Sequence, residues 1–156
     1  VTDRVIAVAA WESVFRAQVT VMRRLAEGFP SDLVSLNEYD VLFNIARTPE
    51  RRLRLKDLNR SVLISQPSVS RMLDRLSARG LVAKAPDPDD GRGTIVSMTA
   101  DGFALYRRVA YLHIEAIERN VGAGLDDDEL VALTDLCRRL RLAIAEPLVG
   151  EDPAGA

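Results

Sequence analysis

The stretch Ser65-Gln66-Pro67-Ser68-Val69-Ser70-Arg71-Met72-Leu73-Asp74-Arg75-Leu76-Ser77-Ala78-Arg79-Gly80-Leu81-Val82 decides the fold. Val69, Met72, Leu73 and Leu76 recur at spacings of three and four, which places them on one buried stripe of a helix over about 66–78. Pro67 falls in the first turn, where a missing amide proton costs little. Ser65 is a suitable N-cap, and Gly80 a suitable stop. Gln66, Ser68, Ser70, Arg71, Asp74 and Arg75 are left on the outer face. Short polar donors and arginines on an exposed helix are what the major groove of DNA accepts: Arg suits guanine edges or phosphates, and Gln can pair with adenine. An ordinary amphipathic helix with a solvated face gives the same pattern, so the neighbouring elements must decide.

Upstream, residues 55–62 read as a short helix with Leu55, Leu58 and Val62 inward, joined to the next helix by Leu63-Ile64. A short helix, a tight turn and a second helix make a helix-turn-helix. Before it, Ser35-Leu36-Asn37-Glu38 is a capping box opening a helix with Tyr39, Val41, Leu42 and Ile45, stopped by Thr48-Pro49. Downstream, residues 81–85 and 94–98 read as two short strands flanking a turn-rich tip over 86–93. An Arg on a thin β-ribbon can enter a minor groove, which makes Arg92 a second candidate contact. Lys56 and Arg54, at the start of the first short helix, are further candidate contacts.

Long helices flank this unit. Residues 3–29 carry two apolar rows, one through Val8, Phe15, Val19, Met22 and Phe29, the other through Trp11, Val14, Val21 and Leu25. Two rows require cover on more than one side, and in so small a chain a second copy is the natural cover. Thr99 caps a helix running to about Val121, broken by Gly122 and Gly124. Asp126-Asp127-Asp128-Glu129 then suits a helix start. The helix it opens bears Leu130, Leu133, Leu136, Leu140 and Ile144 at helical spacing. Residues 150–156 read as a frayed end.

Composition agrees. The 156 residues are 47% hydrophobic and 28% charged, enough for one packed domain and unlike a disordered chain. No uninterrupted apolar run approaches the ~18 residues of a membrane span, and residues 1–10 lack a signal-peptide layout, so a cytoplasmic location is expected. The net charge of −2 looks wrong for a nucleic-acid binder, but the charge is unevenly placed. Residues 47–92 hold 11 basic and six acidic residues, an excess of five positive charges; the rest holds 10 basic and 17 acidic. The local field decides where a polyanion docks. With one cysteine (Cys137) and one histidine (His113), neither a disulfide nor a Cys/His metal site can form within the chain. No phosphate loop or catalytic constellation is present, so no enzyme and no cofactor is expected.

Three segments now carry a specific resemblance. Residues 35–42, residues 65–82, and the wing Asp87-Pro88-Asp89-Asp90-Gly91-Arg92 with its following Met98-Thr99-Ala100-Asp101-Gly102 resemble the MarR family, in order and without large gaps. The resemblance implies a mainly α winged helix-turn-helix fold with a small β-hairpin wing. It implies one MarR-like domain over 1–156, a DNA-binding lobe over 35–100, and dimerisation helices over 1–30 and 101–150. As function it implies a homodimeric transcription regulator, a ligand-responsive repressor binding a palindromic operator in double-stranded DNA through Ser65, Gln66, Ser68, Ser70, Arg71, Arg75, Arg92, Lys56 and Arg54. A winged-helix module that binds protein and not DNA is the alternative; an apolar or acidic outer face on the 66–78 helix would mark it. The family usually has two successive arginines at the wing tip, whereas Gly91 replaces the first here, leaving Asp90 to brace Arg92. A small aromatic or anionic effector is also implied. Some members carry a Trp on the first helix, an Asp on the recognition helix and a nearby Arg, which here points to Trp11, Asp74 and Arg92 or Arg107. Phe15, Tyr39 and His113 complete that candidate ligand set.

Overall fold

The computed structural model describes residues 3–144. Its elements run α1 (Arg4–Glu27), α2 (Leu36–Ala46), β1 (Arg52–Arg54), α3 (Leu55–Ser61), α4 (Gln66–Ala78), β2 (Val82–Asp87), β3 (Asp90–Met98), α5 (Ala100–Val121) and α6 (Asp127–Ile144). Frayed residues expected over 150–156, and the last part of the 101–150 segment, lie outside the described residues.

Local chemistry explains most boundaries. Asp3 caps α1 by accepting from the Val5 amide at 2.8 Å. The capping box of α2 is complete: Ser35 Oγ accepts the Glu38 amide at 3.2 Å, and Glu38 Oε2 accepts the Ser35 amide at 2.9 Å. The C-terminus of α4 closes in a Schellman motif, with the Leu81 amide donating to Leu76 O and the Gly80 amide to Ser77 O, both at 2.9 Å. Gly80 takes φ +71° there, a conformation glycine adopts without penalty. Thr99 caps α5 through the Gly102 amide at 3.0 Å and ties back to Gly80 O at 2.7 Å. Gly102 packs so tightly on the chain that a Cβ would sit 1.9 Å from Leu81 O. The Thr-x-x-Gly signature is thus the joint that seats α5 on the end of α4.

The core lies where α2, α3, α4 and the sheet meet. Leu42, Ile45, Leu58, Val69, Leu73, Leu76 and Val96 are fully buried, and Val109 extends this core onto α5. Burying such a side chain contributes about 1.5–3 kcal/mol.

The sheet departs from the sequence expectation in two ways. It has three strands, in the order β1-β3-β2, all antiparallel. In β1, Leu53 turns inward opposite Val96 while Arg52 and Arg54 turn out. Moreover, the turn-rich tip over 86–93 is not a loop. Strand pairing continues to Asp87↔Asp90, with a bulge after Pro86, so only Pro88 and Asp89 lie between the strands. Pairing with Thr94 of β3 overrides the weak strand propensity of Pro86, while Gly91, Arg92 and Gly93 form the bulge between the paired Asp90 and Thr94, a place that suits glycine. Before β1, Glu50 and Arg51 take φ 56° and 52°, rarely adopted by residues with a side chain. The Arg51 guanidinium lies over the Phe103 ring at 4.0 Å, a cation–π contact that ties this turn to α5.

The flanking helices are poorly covered by the chain itself. Among the described residues α6 buries none of its own, and Leu25 is the one buried residue of α1. Trp11 is 61% exposed, Val131 70% and Leu136 58%. By length and composition α1 is also apolar enough to cross a bilayer, with an 18-residue mean hydropathy of 1.3; the averaged window corrects the impression given by uninterrupted runs. Glu12 and Arg16 stand within it, and charges at such a depth are costly in lipid.

Candidate nucleic-acid interface

The apolar stripe of α4 is buried as its spacing requires, with Val69, Met72, Leu73 and Leu76 all inward. Gln66, Ser70, Arg71, Asp74 and Arg75 are exposed on the opposite face, and Ser68 is half-buried. Ser65 occupies the N-cap position with extended backbone, but its hydroxyl does not cap. It bonds instead to Ser68 Oγ at 3.0 Å, and Ser68 Oγ accepts from Arg71 at 3.3 Å. A polar track, Ser65–Ser68–Arg71, therefore runs along the outer face. The Ser68 and Val69 amides are already satisfied by Ser65 O at 2.9 and 3.0 Å and Pro67 has no amide proton, so the side chains of this track are what the start of α4 offers.

Arg75 has a partner. Its Nε donates to Glu38 Oε1 at 3.4 Å, tying α4 to the start of α2. Burial of Glu38 by itself opposes ionisation, but the hydrogen bonds from Ser35 and the Arg75 guanidinium outweigh it and hold its carboxyl below the usual range. Arg79 donates to Leu33 O at 2.6 Å and clamps the far end of α4 to the segment before α2.

In the wing, Arg92 lies exposed on β3, set back from the tip. Asp90 does brace this region, but through the Arg92 backbone amide at 3.1 Å and not the guanidinium. Lys56 is exposed on α3. Arg54 is not a free cation: its Nε lies 2.6 Å from Asp87 and its Nη2 3.1 Å from Asp89.

The candidate ligand residues do not converge. Asp74 forms an ion pair with Lys84 of β2, linking the recognition helix to the wing root. Trp11 and Phe15 pack on each other at 6.1 Å, but Phe15 stands 14 residues before Phe29, about 21 Å along the chain if helical throughout. Tyr39 and His113 form a second, separate pair, at 5.0 Å between ring centroids, with Arg107 at a rim 6.0 Å over Phe103. Sequence reasoning missed the rest of that cluster. Tyr39 stacks on Tyr106 at 5.7 Å, Tyr106 on Phe103 at 6.2 Å, and Phe29 closes one side at 5.6 Å from Tyr39. Arg47 lies over Phe43 at 5.1 Å. Burial, with a hydrogen bond to Tyr106, pushes the Tyr39 hydroxyl up to about 12, and burial lowers His113. Spacing hints at Tyr39/Phe43 and Phe103/Tyr106 as same-face pairs, but nothing local says that α2 and α5 bring them together.

Comparison with known proteins agrees with this architecture. Residues 34–93, the helix-turn-helix and the wing, match the MarR family. The HTH-type transcriptional regulator PecS of Dickeya dadantii is 26% identical over 126 residues, 80% of this chain and 75% of that protein. Sco3205, a MarR family transcriptional regulator from Streptomyces coelicolor solved in complex with DNA, superposes with a TM-score of 0.75 at 26% identity, covering 92% of this chain and 91% of that one. Bordetella bronchiseptica BpsR, whose DNA binding is regulated by 6-hydroxynicotinic acid, gives 0.73 at 26% identity, covering 85% and 98%. With α4, the wing and the long flanking helices in this arrangement, the chain has a winged helix-turn-helix fold similar to that of MarR family transcriptional regulators, and its residues 34–93 match that family.

Proposed function

We propose that the chain works in the cytoplasm as a homodimeric, ligand-responsive repressor that reads a two-fold-related operator in double-stranded DNA. The observation that carries this is the outer face of α4, which offers Gln66, Ser70, Arg71 and Arg75 and no large apolar side chain. A protein-docking helix needs apolar anchors there. In this reading residues 35–100 form the DNA-binding lobe. Gln66, Ser70 and Arg71 face base edges, Ser65, Ser68 and Lys56 face phosphates, Arg75 reaches DNA from its tie to Glu38, and Arg92 follows the minor groove. Residues 1–30 and 101–150 supply the dimer interface, because the exposed apolar faces of α1, α5 and α6 need a cover that one chain lacks. Glu12 and Arg16 favour a protein cover for α1 over lipid. A photo-crosslinking residue at position 70 should capture duplex DNA, and the same residue at position 111 on α5 should not. Capture from position 111 alone would refute the assignment.

A second observation supports effector control. Tyr39, Phe43, Phe103, Tyr106 and His113 cluster between α2 and α5, with Arg47, Arg51 and Arg107 over their rings. Aromatic faces ringed by guanidinium groups suit a small aromatic anion. A ligand seated between α2 and α5 would bias the spacing of the two recognition helices, for which adjacent half-sites require about 34 Å. Titration with aromatic carboxylates should quench or shift Tyr fluorescence and lower DNA affinity together; binding without any change in DNA affinity would refute effector control.

A further inference from the structure

The Arg54 guanidinium is shared between two carboxylates of unequal character. Asp87, which takes Nε at 2.6 Å, has a side chain only 1% exposed. It is fixed from two further sides: its Oδ1 accepts the Asp89 amide at 3.0 Å, and Gly93 packs so close that a Cβ there would lie 2.9 Å from Asp87 Cβ. Asp89, which takes Nη2 at 3.1 Å, is 79% exposed at the wing tip. A buried ion pair leaves an uncompensated charge when parted, whereas an exposed pair exchanges readily with solvent or another anion. Arg54 is itself partly exposed, in β1, beside the strand that carries Arg92.

We propose that Arg54 is the positioning residue of the wing and that Asp89 competes with DNA phosphate for it. Asp87 keeps Nε and fixes the wing to β1 in the free and bound states. On DNA the outer nitrogen leaves Asp89 for a phosphate oxygen, which accepts a guanidinium in the same geometry. The Asp89 carboxylate therefore weakens binding in two ways, by occupying Arg54 and by repelling the backbone. Asp90 is a built-in reference: it stands at the same tip, and among the described residues its carboxylate accepts from the Arg92 amide, a bond that asparagine also makes.

The inference rests on DNA binding as proposed above, and its test separates the two. Affinity for a random-sequence duplex of about 30 base pairs is measured against salt for wild type, Asp89→Asn and Asp90→Asn, each also in the Arg54→Lys background. Lysine can hold Asp87 with one nitrogen but has no second to offer. Asp89→Asn should strengthen binding about two- to fivefold per protomer beyond Asp90→Asn. That excess should vanish in the Arg54→Lys background. Equal effects of the two asparagine changes, weaker binding by Asp89→Asn, or an excess that survives Arg54→Lys would overturn the competition. Failure of wild type to bind any duplex would instead overturn the DNA-binding reading beneath it.

Discussion

Arg75 of the recognition helix donates to Glu38, the carboxylate that also closes the capping box of α2. One buried acid thus sets the start of α2 and the pose of α4. Glu38→Gln should destabilise the fold by about 0.5–2 kcal/mol at neutral pH. The folded carboxyl is held below its ordinary value of 4.5, so its stabilisation is present above that value and is lost as pH falls through the lower, folded one. The melting difference between wild type and Glu38→Gln should therefore be full at pH 7 and shrink below about pH 4.5. A difference that grows on acidification would contradict the pairing.

Arg71 and Arg75 should separate by melting. Arg71 touches only Ser68 Oγ among the contacts described, whereas Arg75 braces Glu38. Either Arg→Ala change should weaken specific binding by about 1–3 kcal/mol per half-site if the side chain meets a base. Only Arg75→Ala should also lower the melting temperature. Gln66 and Ser70 substitutions should shift sequence preference more than total affinity.

Gly91 and Gly102 should respond in opposite ways. At Gly91 no described atom lies within 4 Å of an added Cβ and no positive φ is required. Gly91→Arg should keep the melting temperature, strengthen DNA binding, and steepen the slope of log K against log salt by about one unit per protomer. Gly102→Ala drives a methyl into the Leu81 carbonyl and should cost about 3 kcal/mol. Unchanged stability in Gly102→Ala would mean that the α4–α5 joint is built differently.

Much of this arrangement was legible because it is local. The 69, 72, 73, 76 stripe fixed which face of α4 is outward, and Ser35, Gly80 and Thr99 marked boundaries through hydrogen bonds within a few residues. What escaped depends on partners distant in sequence. Arg52-Leu53-Arg54 alternates as a strand should, but three residues become one only when β3, some 40 positions later, supplies the ladder. Strand β3 likewise extends the wing by pairing with Pro86 and Asp87, residues that otherwise signal a loop. The resemblance implied Arg54 as a DNA contact and Asp74 as a ligand contact; their side-chain partners Asp87 and Lys84, which lie on the wing, are not legible from either residue's own neighbourhood. Tyr39 and Tyr106 meet only because α2 packs on α5.

Dimerisation should be obligate. Sedimentation at micromolar concentration should give twice the 17.2 kDa chain mass. Leu136→Asp, placed on the exposed apolar face of α6, should shift the protein toward monomer and weaken DNA binding with it. A stable monomer in the wild type would leave the apolar faces of α1 and α6 unexplained.

Selection of bound duplexes from random sequence by the purified protein tests the central claim most directly. The account predicts an enriched, two-fold-related site whose half-sites lie about 10 base pairs apart, bound by one dimer. It also predicts that Ser70 or Arg71 substitutions change the same position in both halves. Failure to enrich any sequence, or a site without two-fold symmetry that Arg71→Ala binds as wild type does, would contradict it.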